Sequence, residues 1–280
     1  MSSSPSPRRR GVLAALAAAA LLSACAGMQP PPAAPRPTFV LVHGAFQDER
    51  AWSEVTPLLR AAGHKVVAVR LAGRAGDGVA PSSVTLEQYR SQITAALAAE
   101  PAPVVLVGHS FGGLNIANAA EAMPRQVKVL VFVGAYLPQA GAADQSMAKL
   151  AELDRWNGFT KDNFIVAKDY SSAGVLPSAV VPLFCADCSA ADQARTQRDF
   201  HQAEPLKPAG TPVVLSAAAY GSVPKVYIKT LRDRAISPQM QQWMIDRTPV
   251  RKVLEIDSGH SPFLSQPRAL ATALLDAARD

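Results

Sequence analysis

The G-x-S-x-G motif at residues 108–112 is the part of this sequence with the clearest chemical meaning. An apolar run at 103–107 precedes it, and a stretch of small residues at 114–120 follows it. This order of strand, sharp turn and helix is the context in which the motif forms a nucleophile elbow. The pattern therefore predicts that Ser110 is a nucleophile that projects beyond the carboxyl end of a parallel strand.

A serine hydroxyl is a weak nucleophile at neutral pH and needs a general base, which in turn needs a carboxylate to fix its tautomer. His260 is the best candidate for the base, because it lies between the last predicted strand and the last predicted helix. The acid is expected at the end of an earlier strand, where Asp233 lies. Asp257 is the main competitor, although it would more naturally hold the loop before His260.

A tetrahedral oxyanion would need two preorganised N–H donors. The backbone amide of Phe111, directly after the predicted nucleophile, is one candidate. The other is the amide of Ala45, in the loop at 43–46 that follows the first predicted strand. His43 is expected to brace this loop, and His109 to pack within the elbow.

The elements that must position these residues alternate between strands and helices. Thr85 with Gln88, and Ser237 with Pro238, are typical of helix starts. Continuous apolar strands between helices favour a mostly parallel sheet covered by helices on both faces, with its sites beyond the carboxyl ends of the strands. Strands are predicted at 38–42, 65–71, 103–107, 127–133, 225–229 and 251–256, and helices at 52–62, 85–99, 114–120, from 237 and at 267–279.

From about residue 136 to 210 the sequence is polar, rich in Ala, Asp and Pro, and shows no clear strand. We interpret this segment as a mostly helical cap inserted above the sheet. Four aromatic residues are candidates for lining a substrate pocket under it: Tyr136, Trp156, Phe159 and Phe184.

Cys185 and Cys188 form a C-x-x-C within the cap segment. A structural or incidental role is favoured. A redox site would want a helix N-terminus in a thioredoxin-like unit, and a zinc site would need two more ligands, for which only His201 lies near in sequence. We therefore expect no metal ion and no cofactor.

The chain has 280 residues, of which 49% are hydrophobic, and this suits one large domain over 38–280 that carries an insertion. The formal net charge is +6, but the arginines at 8–10 supply half of it. Since no basic stripe remains, no nucleic-acid partner is expected. The sequence does not indicate an oligomeric state.

The N-terminal segment has the features of an export signal over 1–24: arginines at 8–10, then an apolar run at 11–22 that is too short to span a bilayer. The residues Leu22-Ser23-Ala24-Cys25 resemble a bacterial lipobox, in which Cys25 would be acylated. The Pro-rich residues 25–37 would form a tether. This predicts a lipid-anchored protein at the membrane surface of a bacterial cell envelope, with an ordinary secretory signal or a twin-arginine signal as alternatives.

With these residues in place, the chain resembles the α/β-hydrolases, in particular the branch of plant methylesterases, hydroxynitrile lyases and related bacterial esterases. The similarity runs from about Thr38 to the C-terminus. The resemblance implies a catalytic triad of Ser110, Asp233 and His260. It rests on the segments at 39–45, 61–66, 107–113, 220–228 and 232–236.

Two departures from this branch bear on the chemistry. Its lyases use a threonine in the oxyanion loop and a lysine after the catalytic histidine, which offsets the charge of departing cyanide; this chain has Gly44 and Ser261. The resemblance therefore implies a serine carboxylesterase that acts on a small-molecule ester. The alternatives are a lyase-like or other non-hydrolytic enzyme on the same triad, and a lipid-anchored binding protein without turnover.

Overall fold

The structure is a computed structural model that describes residues 1–2 and 36–279. The chain divides into two units, Met1–Pro35 and Arg36–Asp280, and the second contains every element named below. The predicted export signal, Cys25 and most of the Pro-rich tether fall within residues 3–35, outside the described residues. In the described ranges, no helix has the length and apolar character needed to cross a membrane.

The strands and helices of the described residues follow the alternation that the sequence predicts. The strands are β1 (Phe39–Val42), β2 (Val66–Val69), β3 (Val104–His109), β4 (Val127–Val133), β5 (Phe164–Val166), β6 (Ser172–Val175), β7 (Glu204–Pro205), β8 (Lys225–Thr230) and β9 (Lys252–Ile256). The helices are α1 (Val55–Ala61), α2 (Leu86–Ala98), α3 (Gly112–Ala122), α4 (Met147–Leu153), α5 (Pro177–Phe184), α6 (Ala190–Asp199), α7 (Leu206–Gly210), α8 (Pro238–Ile245), α9 (Pro262–Ser265) and α10 (Pro267–Ala277).

A six-stranded sheet in the order β2-β1-β3-β4-β8-β9 forms the centre of the second unit, and all its neighbouring strands run parallel. Successive residues of β3 serve opposite faces of this sheet. Leu106 packs into the apolar cluster that contains Ile93 of α2, whereas Val107 packs into the cluster that contains Trp52 and Leu274. Burial on both faces explains why this strand is continuously apolar, and the predicted α/β architecture is confirmed.

Local capping residues set the helix starts as predicted. The Thr85 side chain accepts a hydrogen bond from the Gln88 amide at the start of α2, and the Ser237 side chain accepts one from the Met240 amide at the start of α8. The helix predicted from residue 52 begins later, at Val55, because a short 3₁₀ helix precedes it and buries Trp52.

The segment at 136–210 differs in part from its prediction. It contains the helices α4 to α7, but also a three-stranded antiparallel sheet in the order β5-β6-β7, which the sequence analysis did not predict. These strands have three, four and two residues, too few for an alternating pattern to be visible. Their pairing therefore depends on the fold of the whole segment.

His43, directly after β1, braces the loop that follows it. Its Nδ1 lies 2.9 Å from the Gly44 carbonyl oxygen, and its Nε2 accepts a hydrogen bond from the Leu71 amide at 3.2 Å. The ring is therefore neutral, with its proton on Nδ1. Burial, helped by the charge of Arg74, lowers the pKa of His43 from 6.5 to about 3.

This pKa makes the stability of the fold depend on pH. The unfolded chain takes up a proton at His43 below about pH 6.5, whereas the folded protein does so only near pH 3. Because the unfolded state binds more protons between these values, the free energy of unfolding falls as the pH drops through this window, by up to about 1.4 kcal/mol per pH unit. A His43→Gln variant, which cannot be protonated, is expected to be less stable at pH 7 but to lose less stability at pH 5.

Urea unfolding of both proteins at pH 7 and pH 5 measures this difference. A His64→Gln variant is the control, because His64 lies partly exposed before β2. Equal losses of stability in the parent protein and the His43→Gln variant would contradict the prediction.

Candidate active site

The turn between β3 and α3 holds Ser110 in a left-handed backbone conformation, with φ of 54°. Non-glycine residues seldom adopt this conformation unless the surrounding structure enforces it. Here the Ser110 carbonyl oxygen accepts hydrogen bonds from the amides of Gly113 at 3.0 Å and Tyr136 at 3.1 Å. A Cβ at Gly112 would lie 2.7 Å from the Val42 carbonyl oxygen, so the turn can press against β1 only with glycine there. Ser110 thus lies at the tip of an elbow, as the motif predicts.

Asp233 and His260 meet at the same edge of the sheet. They follow β8 and β9, which are neighbouring parallel strands, so the two loops leave the sheet side by side. The Asp233 Oδ2 lies 2.8 Å from the His260 Nδ1, and both side chains are buried. A carboxylate at Nδ1 favours the tautomer with the proton there, which leaves Nε2 available to accept one.

Asp257, the competing acid, lies in a different environment. Its carboxylate is 76% exposed and pairs with Arg232 at 2.7 Å. Asp257 therefore faces solvent, and Asp233 is the carboxylate that lies at the His260 Nδ1.

Both oxygens of the Asp233 carboxylate accept hydrogen bonds. Oδ1 accepts hydrogen bonds from the amides of Ala235 at 2.8 Å and Ile236 at 2.9 Å, and Oδ2 also accepts one from the Thr230 hydroxyl at 2.7 Å. Gln241 of α8 in turn donates to the Thr230 Oγ1 at 3.0 Å. These donors fix the carboxylate in one orientation toward the imidazole.

Sequence reasoning missed Thr230 and Gln241. The one signal that could have pointed to them is a polar residue at a buried position: Thr230 at the end of β8 and Gln241 on the buried face of α8. The Gln241 side chain also accepts from the Thr230 amide at 3.0 Å and donates to the Ile236 carbonyl oxygen at 2.8 Å. Gln241 is fully buried, and its hydrogen bonds hold together the two ends of the acid loop, Thr230 and Ile236.

His109 does more than pack within the elbow. Its Nε2 lies 2.8 Å from the His260 carbonyl oxygen, and the two rings lie 4.6 Å apart. Burial, followed by the proximity of His260, lowers the pKa of His109 well below its usual range. The neutral ring therefore donates from Nε2 to that carbonyl, and the side-chain amide of Gln47 lies 3.2 Å from its Nδ1.

The two amides expected to bind an oxyanion flank Ser110. Within residues 36–279, neither the Ala45 nor the Phe111 amide donates a hydrogen bond to another residue. The Phe111 amide lies at the start of α3, where N–H groups lack partners inside the helix and the dipole favours negative charge. The Ala45 amide follows Gly44, whose Cα lies so near the elbow that an added Cβ would be 2.7 Å from the Ser110 Cβ.

A cavity of about 850 Å³ opens next to these groups. Ser110, His260 and Ala45 contribute to its wall. Among the aromatic residues proposed from the sequence, three line it: Tyr136, Phe159 and Phe184.

The prediction for Trp156 is wrong. Its side chain is 61% exposed and lies outside the cavity wall. The chain turns outward after α4, where the Asp154 carboxylate accepts a hydrogen bond from the Trp156 amide at 3.2 Å. Two cationic residues that the sequence analysis did not single out, Arg155 and Lys161, line the cavity instead.

Cys185 and Cys188 are joined in a disulfide that closes a four-residue loop between α5 and α6. A disulfide leaves no thiolate for zinc, so the zinc alternative does not apply. His201, the third ligand considered for it, is buried with its Nε2 3.0 Å from the Asp48 carboxylate.

Proteins of known function resemble this chain over nearly the whole described second unit. Methylesterase 1 of Arabidopsis thaliana is 33% identical over 252 residues, which cover 85% of this chain and 94% of that protein. An alpha-hydroxynitrile lyase of the same plant is 33% identical over 262 residues, which cover 86% of this chain and 97% of that protein. The structure of polyneuridine aldehyde esterase, whose curated sequence is from Rauvolfia serpentina, superposes with a TM-score of 0.75 at 28% identity, covering 86% of this chain and 98% of that one.

These comparisons contradict the predicted location in a bacterial cell envelope. The relatives named above are plant proteins, and the matched region covers 94% or more of each. They thus consist almost wholly of the hydrolase domain, and they lend no support to an export signal, to a lipid anchor at Cys25 or to membrane attachment. The prediction rested on the arginines at 8–10, the apolar run at 11–22, the residues Leu22-Ser23-Ala24-Cys25 and the Pro-rich tether, all of which precede the matched region.

A comparison with models of protein families covers the whole six-stranded sheet and includes the elbow. The model of the alpha/beta hydrolase family matches residues 39–273, and these residues include β1, β9 and all the loops that carry the site. Several of the curated relatives are esterases by name. On its fold, its elbow and these matches, the chain belongs to the α/β-hydrolase family.

Proposed function

We propose that this protein is a serine hydrolase that cleaves carboxylic esters of small molecules through an acyl-enzyme intermediate. One observation carries the proposal: Asp233 and His260 form a buried pair joined at 2.8 Å, and His260 borders the same cavity as Ser110 at the tip of the elbow. An imidazole oriented by a carboxylate beside a serine is the arrangement that activates a hydroxyl for acyl transfer.

In the acylation step, the Ser110 oxygen attacks the ester carbonyl carbon while its proton passes to the Nε2 of His260. The negative charge of Asp233 stabilises the imidazolium that forms, without itself taking the proton. The amides of Ala45 and Phe111 donate to the tetrahedral oxyanion. When the intermediate collapses, the bond to the alcohol oxygen breaks and His260 returns the proton to the leaving alcohol.

In the deacylation step, a water molecule takes the place of the alcohol. His260 accepts its proton as the water oxygen attacks the acyl carbon, and the same two amides hold the second oxyanion. Collapse breaks the bond to the Ser110 oxygen, which recovers the proton from His260 and releases the carboxylic acid. The cycle needs no group other than water and these side chains.

Two local features favour ester hydrolysis over a lyase reaction. A side chain at position 44 would collide with the Ser110 Cβ at 2.7 Å, so this backbone has no room for the threonine that the related lyases place there. The residue after His260 is Ser261, which is buried and neutral, so it supplies no positive charge for a departing cyanide. The hydroxynitrile lyase among the relatives keeps this alternative worth testing.

We further propose that 38–280 is the hydrolase domain and that 136–210 acts as its cap. Cap residues such as Met147, Phe159 and Leu206 form part of the cavity wall that faces Ser110. These three side chains are apolar, so we expect the part of the cavity that they form to select esters with an apolar acyl or alcohol portion, while Arg155 and Lys161 form a charged part of the wall. A panel of p-nitrophenyl esters of increasing acyl length measures this preference.

Replacing the predicted nucleophile gives the direct test of the reaction. A Ser110→Ala variant is expected to hydrolyse p-nitrophenyl acetate at least about 10⁴-fold more slowly than the parent protein, since no acyl-enzyme can form. It should also lose labelling by a fluorophosphonate probe. Ser91→Ala, at an exposed position of α2, is the matched control and should retain both properties.

Three outcomes would contradict the proposal. Full activity in Ser110→Ala would exclude this nucleophile. Release of cyanide from mandelonitrile faster than hydrolysis of any ester would favour the lyase alternative. Ligand binding without labelling of Ser110 would favour a binding protein without turnover.

The two candidate acids can be separated by matched substitutions. Asp233→Asn preserves size but favours the wrong imidazole tautomer, so kcat should fall by about 10⁴-fold near neutral pH. Asp257→Asn removes an exposed carboxylate that pairs with Arg232, and kcat should change less than about twofold. The kcat values for one p-nitrophenyl ester decide between them; similar losses in both variants would show that the acid is wrongly assigned.

A further inference from the structure

We propose that Asp187, in the loop closed by the Cys185–Cys188 disulfide, is a positioning residue for the general base His260. This inference rests on the proposed function, because it assigns Asp187 a part in the same reaction. Asp187 belongs to the cap segment, 73 positions before His260 in the sequence, and nothing in the sequence pattern points to it.

The contact itself is direct and partly buried. The Asp187 Oδ2 accepts a hydrogen bond from the Gly259 amide at 2.8 Å, and the Asp187 side chain is 8% exposed. Gly259 is the residue directly before His260. A charged acceptor on this amide therefore holds the Ser258–Gly259 peptide, one residue before the imidazole-bearing residue.

The backbone of the His260 loop is shaped for this contact. A Cβ added at Gly259 would lie 2.6 Å from the Asp187 Oδ1. Only glycine at this position lets the carboxylate approach the amide so closely. A side chain at this position would therefore displace the carboxylate from the amide.

The backbone around His260 is held on both sides. Asp187 binds the amide that precedes it, and His109 of the elbow donates to its carbonyl oxygen at 2.8 Å. Asp233 then holds the ring at Nδ1. The rings of His109 and Phe184 also pack on the His260 ring, so these two backbone contacts act by placing the Cα from which the ring projects.

The disulfide keeps Asp187 in place. It joins the residues on either side of the Ala186-Asp187 pair, which limits the conformations open to that loop. Phe184, next to Cys185, places its ring 5.4 Å from the His260 ring at an interplanar angle of 69°. Residues 184–188 therefore contact both the His260 ring and the backbone of the residue before it.

Arg232 connects the same carboxylate to the acid loop. Its Nη2 lies 3.8 Å from the Asp187 Oδ2, and Asp233 is the next residue in the chain. Arg232 also pairs with Asp257 at 2.7 Å, so its charge is shared between two carboxylates. The Gly259 amide remains the closest donor to Asp187.

Removal of the Asp187 carboxylate should affect turnover more than substrate binding. An Asp187→Ala variant is expected to lower kcat by about ten- to a hundredfold, because small displacements of a catalytic group carry large costs. KM should change little, since Asp187 does not belong to the cavity wall. Asp187→Asn keeps a carbonyl acceptor for the Gly259 amide and should recover most of kcat.

The experiment compares these variants by p-nitrophenyl ester kinetics and by NMR of the His260 Nδ1 proton, which needs no substrate. Asp192→Ala is the matched control, because this acid lies in the same cap segment and bonds to Ser189 at the start of α6. A Cys185→Ser, Cys188→Ser double variant should lower kcat by a smaller factor than Asp187→Ala, because the acceptor remains but its loop is freer.

The outcomes separate this inference from the proposed function. A loss of kcat in Asp187→Ala with rescue in Asp187→Asn, together with a shifted or broadened Nδ1 proton signal, supports the positioning role. An unchanged kcat and an unchanged signal would overturn it. If the parent protein hydrolyses no ester, the proposed function fails, and the proton signal alone still decides whether Asp187 positions His260.

Discussion

The buried contact between Asp233 and His260 is the interaction on which the rest of the site depends. A carboxylate removed from water is costly unless donors replace its hydration. Here four groups supply them: the amides of Ala235 and Ile236, the Thr230 hydroxyl and the imidazole itself. The chain after β8 therefore has to turn so that Thr230, Ala235 and Ile236 all donate to the Asp233 carboxylate. The acid loop must supply these donors because the Asp233 charge is buried. Once the carboxylate is fixed by them, it also fixes the imidazole of His260.

Sequence reasoning singled out Ser110, Asp233 and His260 because each follows a strand that the sequence predicts. The carboxyl ends of parallel strands converge at one edge of the sheet whatever lies between them in the chain. Most strands of the sheet could also be predicted, because strands that are buried on both faces appear in the sequence as apolar runs. These inferences need only the periodicity of a strand and the order of the elements.

What sequence reasoning could not provide depends on packing between distant segments. Gln241 reaches the acid loop only because α8 packs beneath it, and His109 meets the His260 carbonyl only because the elbow and the last loop are adjacent. The short strands of the 136–210 segment pair with each other in a way that no local pattern specifies. The exposure of Trp156 likewise follows from a turn after α4. By contrast, the error about the cell envelope came from reading a location from residues 1–37, which lie outside the region that the related proteins share.

The segment at 136–210 is tied to both partners of the central pair. On the acid side, Asp154 accepts hydrogen bonds from the Ser237 amide at 2.8 Å and the Ser237 hydroxyl at 2.6 Å, at the start of the helix that carries Gln241. On the base side, Asp187 holds the amide before His260. Lifting this segment as one body would break both attachments and loosen the acid and the base together. Substrate exchange that leaves Asp154 and Asp187 in place therefore preserves the orientation of the imidazole.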